Sequence, residues 1–464
     1  MDRGAVSGAS SGSRTLDRGL GPWASASIVV GTIIGTGVFI KTARMAQLGG
    51  SPLWVLVAWG VAAALSFTGA MTYSELGGMY PSAGGEYVYL RHGYSPFMGY
   101  LYAWNRFWIA TPASIAAYGV GAATFLAAAV PLDRVGGTQV AGIAIVIVFS
   151  AVNCLRVRSG GALQTVLTVM KIVMILGIAG GAVLAPHGSW SHLRAEPGAG
   201  GFPGWTSFGA MVLAALWAYD GWNNLPMAAG EIRDPQKNLP RATVFGMVAV
   251  LATYALVNLG YFHALPFSEI AHANSDAFPD AAPVATRAAS VFLGGPAQVL
   301  LAIAMTISAI SAMNGSILTG ARVPYAVARD HLAPRFLARL SAGARVPAVA
   351  VLVQGGLAVA FALTGSFDAL TDSVIFASWL FYGLNAGSVL LLRRRAPGLP
   401  RPFRVPGFPI VPIVLIVLAI LLVIDTILVQ PGLTALGLGA TAAGGVVYAI
   451  FLRGKWRDAG DDGA

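Results

Sequence analysis

Apolar runs of about 20 residues, long enough to cross a hydrocarbon core as helix, recur along almost all of this 464-residue chain. No other feature restricts the fold as strongly. In lipid every backbone N–H and C=O must be satisfied within the protein, so a succession of such runs folds as a helical bundle. Twelve runs stand out, near 20–41, 52–77, 95–128, 138–155, 161–185, 205–230, 241–265, 288–318, 347–364, 369–392, 408–428 and 432–452. They predict an all-α integral membrane protein with twelve transmembrane helices. With 56% hydrophobic and only 10% charged residues, the chain is excluded from the ordinary water-soluble class. The first run follows a polar, Gly/Ser-rich tail and has no small-residue cleavage site after a short apolar region. It is therefore expected to stay in the mature protein and not to leave as a signal peptide.

A net charge of +10 raises the question of a nucleic-acid partner, and the placement of the charges answers it. Lys and Arg gather in alternate loops, as the positive-inside rule requires. Arg91, Arg156, Arg158, Arg233, Lys237, Arg241, Arg335, Arg339, Arg345, Arg393, Arg394 and Arg395 fall on one side, with Arg3, Arg14 and Arg18 of the tail. Lys41, Arg44, Arg134, Arg194 and Arg287 fall on the other. Both termini are accordingly expected in the cytoplasm, in a plasma (inner) membrane, with membrane lipid and not nucleic acid as the basic face's partner. The lone Cys154 has no disulfide or metal-ligand company, the six histidines show no zinc spacing, and no phosphate-binding loop is present. No cofactor and no metal are expected, and neither is ATP-driven transport.

Residues 393–407 form a basic, Pro-rich connector that no helix should traverse. The expected organisation is a cytoplasmic tail over 1–18, a ten-helix core over 19–392, this connector, two further helices over 408–452, and a second cytoplasmic tail over 453–464. The core divides into two sets of five runs. Each set opens on a run that is interrupted at mid-membrane depth, the first by Gly31-Thr32-Ile33-Ile34-Gly35-Thr36-Gly37 and the second by Ala218-Tyr219-Asp220-Gly221-Trp222. Five is odd, so the second set enters the membrane from the opposite side, which is the pattern of an inverted repeat. Breaks at corresponding places in two halves are the best sequence pointer to a substrate site.

The first break removes side chains at Gly31, Gly35 and Gly37 and presents amides at the start of a half-helix, where the dipole favours an anion such as a carboxylate. Close helix packing through Gly31-x-x-x-Gly35 is the competing reading, and alone the better one. The second break shifts the balance, because an acid, a glycine and aromatic bulk in mid-span suit a lined cavity and not a lipid face. Freed carbonyls there suit an ammonium group, while Trp217, Tyr219 and Trp222 suit a side-chain wall. Amide donors on one side and carbonyls on the other fit a zwitterionic α-amino acid.

The strings Gly31-Thr-Ile-Ile-Gly-Thr-Gly-Val-Phe-Ile40, Pro81-Ser-Ala-Gly-Gly-Glu-Tyr-Val-Tyr89 and Ala218-Tyr-Asp-Gly-Trp-Asn223 together resemble the amino acid–polyamine–organocation superfamily. Gly230-Glu-Ile-Arg-Asp-Pro-Gln-Lys-Asn-Leu-Pro-Arg241 narrows the resemblance to the L-amino acid transporter branch and its bacterial permease relatives. The resemblance implies a leucine-transporter-type fold, a five-plus-five inverted repeat with helices 1 and 6 unwound, and alternating access. It also implies amino acid transport, commonly by exchange. By motif it assigns a substrate carboxylate to Gly35, Thr36 and Gly37, with a carbonyl from Ile33. Trp217, Ala218, Tyr219, Asp220, Gly221 and Asn223 line the second break, and Trp217 matches an aromatic gate usually filled by Phe, so a larger ring favours small substrates. The family's mammalian light chains join a glycoprotein through a cysteine in the loop after the third span; residues 131–137 hold none, so no disulfide-linked heavy chain is expected.

Lys171 lies near the middle of the 161–185 run, about 15 Å from either end, too deep for easy snorkelling. It is a functional candidate, with a structural salt bridge as the competing reading. The resemblance places it where sodium-coupled relatives hold a sodium ion, bracing the first span against the eighth, and so implies sodium independence. Ser308 and Ser311 are its candidate neighbours, although serines in membrane helices commonly bond their own backbone. Tyr254 and Asn258, at i and i+4, share a face, and an interhelical hydrogen bond competes with a site role. Ser114 reads better as packing than as pocket. Glu75, Arg106, Asp372 and Asp425 lie in or near runs, and one of them pairing with another is a structural option. The Gly230–Arg241 stretch is expected to be a loop.

The leading expectation is sodium-independent exchange of neutral, small L-amino acids. Proton-coupled symport, with Asp220 or Lys171 titrating, stays open. Polyamine or cationic amino acid antiport is disfavoured by the presence of a single acid in the breaks, and a non-transporting receptor by the paired breaks. An enzyme is not expected.

Overall fold

A computed structural model describes residues 16–194, 201–275, 277–278, 281–364, 367–429 and 431–452, with side chains other than those of 135, 364, 367–377, 429, 433 and 436. Among the described residues there is no β-strand, only isolated bridges between Leu20 and Ile232 and between Ser275 and Phe278. In chain order the helices are α1 (Pro22–Ile33), α2 (Gly37–Gly49), α3 (Pro52–Met79), α4 (Glu86–Gly93), α5 (Pro96–Asn105), α6 (Thr111–Ala127), α7 (Gly137–Asn153) and α8 (Val157–Val183). There follow α9 (Trp205–Ala218), α10 (Asn224–Met227), α11 (Pro235–Ala264), α12 (Phe267–Ala271), α13 (Val284–Leu293), α14 (Ala297–Gly320) and α15 (Arg322–Arg329). The last are α16 (Ala348–Thr364), α17 (Phe367–Arg395), α18 (Ile410–Val429) and α19 (Pro431–Val447). Seven helical stretches among the described residues are long and apolar enough to cross a membrane, and shorter apolar helices accompany them.

Proline and serine set many of the boundaries. Pro52, Pro96 and Pro235 open α3, α5 and α11 at the position where a missing N–H costs nothing, and Ser95 Oγ accepts from Met98 N at 3.3 Å. A π-helical turn, Arg106–Ala110, joins α5 to α6. Two boundaries differ from the sequence reading. The run near 288–318 is cut by Gly294, Gly295 and Pro296 into α13 and α14, because Gly294 takes φ +63° and Pro296 cannot donate to a continuing helix. The stretch read as a loop up to Arg241 is helical from Pro235, and Pro240 is carried inside the first turns of α11. That proline forfeits one backbone bond at the sixth position of the helix, while Lys237 N and Asn238 N before it both donate to the Asp234 carbonyl.

α1, α8, α11 and α14 pack around one another, with α6 against α14 and α3 against α11. Their shared interior is polar. Asn314 Nδ2 donates to Gln164 Oε1 at 2.7 Å, Asn153 Nδ2 donates to Asn314 Oδ1 at 2.8 Å, and Thr168 Oγ1 donates to the Ser27 carbonyl at 3.0 Å. A Cβ at Gly31 would lie 2.1 Å from Gln164 Nε2, so glycine there lets α1 close on α8. Packing is thus a real role for Gly31.

The connector is anchored as well as bent. α17 runs to Arg395, beyond the expected end at 392, and Glu75 of α3 receives Arg393 at 2.8 and 2.7 Å and Val405 N at 2.7 Å. Of the other charges near runs, Arg106 reaches Asn224 instead of a carboxylate, and Asp425 is exposed. The Asp372 side chain lies outside the described ones.

Candidate functional site

The helical path of the first run stops at Ile33 and resumes at Gly37; that of the second stops at Ala218 and resumes at Asn224. The two gaps face each other. A Cβ at Gly37 would stand 2.7 Å from Ala218 Cβ, and one at Gly221 would stand 2.8 Å from the Thr32 carbonyl carbon. Gly221 also takes φ +122°, which an L side chain resists, so at this position glycine is required twice over. Thr32 Oγ1 lies 3.0 Å from the Gly221 carbonyl and 2.7 Å from that of Ile28 in its own helix, so its one proton is shared between the helix and the contact. Tyr254 of α11 touches both gaps: its hydroxyl lies 2.9 Å from the Ala218 carbonyl and 3.3 Å from that of Ile33.

The first gap leaves carbonyls that need donors, and two helices supply them. Lys171 of α8, 1% exposed, donates from Nζ to the Gly31 carbonyl at 2.8 Å and to that of Ile34. Ser308 of α14 donates to the carbonyls of Ile34 at 3.1 Å and Gly35 at 2.8 Å, so its hydroxyl serves the gap and not its own helix. Ser311 is one step removed, accepting from Gln164 Nε2 at 3.4 Å. The structure therefore brings Lys171 and Ser308 together on one set of carbonyls and puts Ser311 in the adjoining polar chain. Lys171 has no carboxylate within ion-pair distance among the described residues, so the salt-bridge alternative finds no partner there.

The amides sort differently from the expectation. Gly35 N–H turns back onto the Ile33 carbonyl at 2.8 Å. The Ile33 carbonyl accepts from Gly35, and the Tyr254 hydroxyl, whose single proton lies nearer the Ala218 carbonyl, stands 3.3 Å from it. The N–H groups of Thr36 and Gly37 have no backbone acceptor among the described residues, as befits the first positions of α2. Beside them, a Cβ at Gly35 would meet nothing closer than 4.0 Å. Two donors at a helix N-terminus border open space.

At the second gap the side chains are held as well as the backbone. Tyr382 of α17 donates to Asp220 Oδ1 at 2.8 Å, and Asn223 Nδ2 donates to Glu86 Oε2 at 3.4 Å. Glu86, fully buried at the start of α4, also accepts from the hydroxyls of Tyr73 and Tyr102. Arg106 Nη2 donates to Asn224 Oδ1 at 2.7 Å. Tyr219 and Tyr254 pack edge-on against Trp59, while Trp222 packs against Tyr73 and Tyr382. Trp217 lies with its ring under the Lys41 ammonium, 4.7 Å from centroid to Nζ, and 3.2 Å from a Cβ built at Gly37. The ring therefore lies beside Gly37, where the first gap ends.

Several residues of this arrangement escaped the sequence reading. Thr32 stood inside the first motif, Glu86 inside the second, and Tyr382 in an apolar run with no acid nearby in sequence. The bidentate pair of Arg322 with Glu231, at 2.7 and 2.9 Å with both residues buried, was also missed. It backs the short parallel contact in which Leu20 N donates to Glu231 O and Arg233 N to Leu20 O, each at 2.9 Å. Asn258 does what its bland reading says, bonding the Tyr254 carbonyl and accepting from Thr42 at 2.7 Å. Ser114 bonds the carbonyl of Ala110 in its own helix.

Residues 20–451 match the family described as Amino acid permease. The chain is 30% identical to the "Serine/threonine exchanger SteT" of Bacillus subtilis (strain 168), over 91% of this chain and 94% of that protein. It is also 30% identical to the human "b(0,+)-type amino acid transporter 1", over 90% and 84%, and 27% identical to the human "Cystine/glutamate transporter", over 92% and 83%. With a match running through nearly every described helix and through both gaps, this chain belongs to the amino acid permease family and is a multi-pass membrane transporter of amino acids, not an enzyme.

Proposed function

We propose that the chain exchanges small neutral L-amino acids across the plasma membrane without sodium, by alternating access between the two gaps. The observation that carries the sodium independence is the Lys171 ammonium, bonded to the carbonyls of Gly31 and Ile34. A fixed cation there repels a second one and already supplies the donors that the open backbone needs. In this reading the substrate carboxylate lies on the amides of Thr36 and Gly37, in the space beside Gly35. Its ammonium group faces the backbone of Ala218, Tyr219 and Gly221 and the side chains of Asp220 and Asn223. Trp217 closes over the side chain and limits its size. Tyr254 joins the two halves, and Ser308 and Ser311 complete the polar wall around Lys171.

The architecture that goes with this reading has twelve spans, ten of them in a five-plus-five inverted repeat of the leucine-transporter type over 19–392. Helices 11 and 12 follow the 393–407 connector, and both tails, 1–18 and 453–464, are cytoplasmic. α1 with α2 is the first broken span, and α9 with α10 the sixth. The chain works without a disulfide-linked heavy chain or a nucleic-acid partner. Exchange of small amino acids agrees with the name of the Bacillus relative, a serine/threonine exchanger.

Radiolabelled uptake into sodium-free proteoliposomes tests the proposal. Uptake of serine, threonine or alanine only when the lumen holds amino acid supports exchange; uptake that requires sodium refutes the role of Lys171. A second reading, proton-coupled symport, is favoured by one observation: Asp220 faces the second gap with Tyr382 as its only hydrogen-bond donor among the described side chains. Stimulation by an inward proton gradient with an empty lumen would establish that reading in place of exchange.

A further inference from the structure

A second cavity of about 600 Å³ lies away from the two gaps, between α5 with its π-helical turn, α15 and the end of the last helix. Tyr100, Trp104, Trp108, Pro324, Leu452 and Arg335 are among the residues that line it. From Tyr100 to Trp108 the wall rises about 12 Å at 1.5 Å per residue, most of one leaflet's roughly 15 Å of hydrocarbon. Trp108 is 41% exposed and faces outward from the bundle. Arg335 is exposed, and no ion pair engages it among the described residues. Between His331 and Val346 the chain carries Arg335, Arg339 and Arg345 and no acid at all. A largely apolar groove of leaflet depth, lined by the exposed Arg335 on an acid-free segment, is complementary to one ligand class, a lipid with a negatively charged headgroup.

We propose that this groove binds an anionic glycerophospholipid of the cytoplasmic leaflet, with an acyl chain against Tyr100, Trp104 and Trp108 and the phosphate on Arg335. The occupant also bears on the transport site. The turn Arg106–Ala110 has the wide π-helical form that recurs at functional sites. Its outer residues, Phe107 and Trp108, line the groove, while Arg106 on its inner side holds Asn224 at the second gap. A lipid packed on one side of this turn steadies the residue that holds the break on the other. The link to transport, and the assignment to the cytoplasmic leaflet, rest on the reading proposed above; the lipid site itself does not.

The test separates the two. Full-length protein is extracted, delipidated and exposed to vesicles of equal parts phosphatidylglycerol and phosphatidylcholine, and retained lipid is counted by native mass spectrometry. Wild type is expected to keep phosphatidylglycerol in preference. Arg335→Gln is expected to lower that preference about fivefold, the effect of one cationic side chain at an anionic surface, with unchanged melting. Trp108→Ala weakens retention of both lipids, and millimolar inorganic phosphate does not displace the bound one. Equal retention of the two lipids, an Arg335→Gln protein that behaves as wild type, or Trp108→Ala dissociating a dimer instead of releasing lipid would each overturn the proposal. In proteoliposomes of each lipid, exchange by wild type should be faster with phosphatidylglycerol. Equal rates with the lipid still bound through Arg335 would overturn the link to the second gap while leaving the site intact.

Discussion

At the first gap the backbone is bonded by side chains from elsewhere: Lys171 takes Gly31 and Ile34, and Ser308 takes Ile34 and Gly35. At the second gap the larger share of bonds goes to the gap's own side chains, Asp220 to Tyr382, Asn223 to Glu86, with Asn224 next to it held by Arg106. The difference follows from composition. Residues 31–37 offer mostly glycine and small or aliphatic side chains, so the exposed carbonyls must be satisfied from neighbouring helices. Residues 219–223 carry an acid, an amide and two aromatic rings, and meet Tyr382 and Glu86 through their own side chains. One gap is therefore held through its backbone carbonyls, and the other through its side chains.

Substitutions in α8, α11, α14 and the second gap can break or sharpen that contrast. Lys171→Ala has the largest expected effect. It strips a charged donor from buried carbonyls, worth about 1.5–3 kcal/mol per bond, and should cut exchange by more than about tenfold and lower the melting temperature. Unchanged sodium-free transport in this variant would refute the account of the first gap. If sodium restores activity to Lys171→Ala alone, the ammonium is confirmed as a substitute for the ion. Tyr254→Phe comes next, because one hydroxyl touches both gaps. The loss of a hydroxyl worth about 1 kcal/mol predicts roughly fivefold slower exchange, and an effect on thermal stability without one on transport would make Tyr254 a packing residue only.

Ser308→Ala removes a neutral donor while Lys171 still serves Ile34, so a smaller decline of about twofold to threefold is expected. A loss as large as that of Lys171→Ala would mean that the two donors act as one unit. Asp220→Asn is expected to change exchange least, below about twofold, since an amide oxygen still accepts from Tyr382. Abolished gradient-driven uptake in that variant would instead assign Asp220 to proton coupling.

Much of the fold was visible in the chain because lipid makes the rule simple. Apolar length marks helices, and the glycine and polar interruptions mark where the backbone opens. Two places were misread: local chemistry was outweighed at Pro240, tolerated within α11, and it prevailed over the apolar run at Gly294-Gly295-Pro296, which separates α13 from α14. The site was partly legible. Lys171 could be found because a charge at that depth demands partners, but the partners are carbonyls, which carry no sequence signal of their own. Glu86 and Tyr382 were missed because Asn223 and Asp220 meet them across separations of 137 and 162 residues.

The sequence by itself determined that this is a bundle of membrane helices with two opened segments, because hydropathy and backbone hydrogen bonding act locally along the chain. Only the tertiary structure decided what those openings face. It turned Gly35 N–H inward onto Ile33, left Thr36 and Gly37 as the open donors, and set Lys171 and Ser308 on the freed carbonyls. Hydrogen bonds reach about 3 Å, so which donor meets which acceptor depends on how four helices pack, and no periodicity in one of them encodes that.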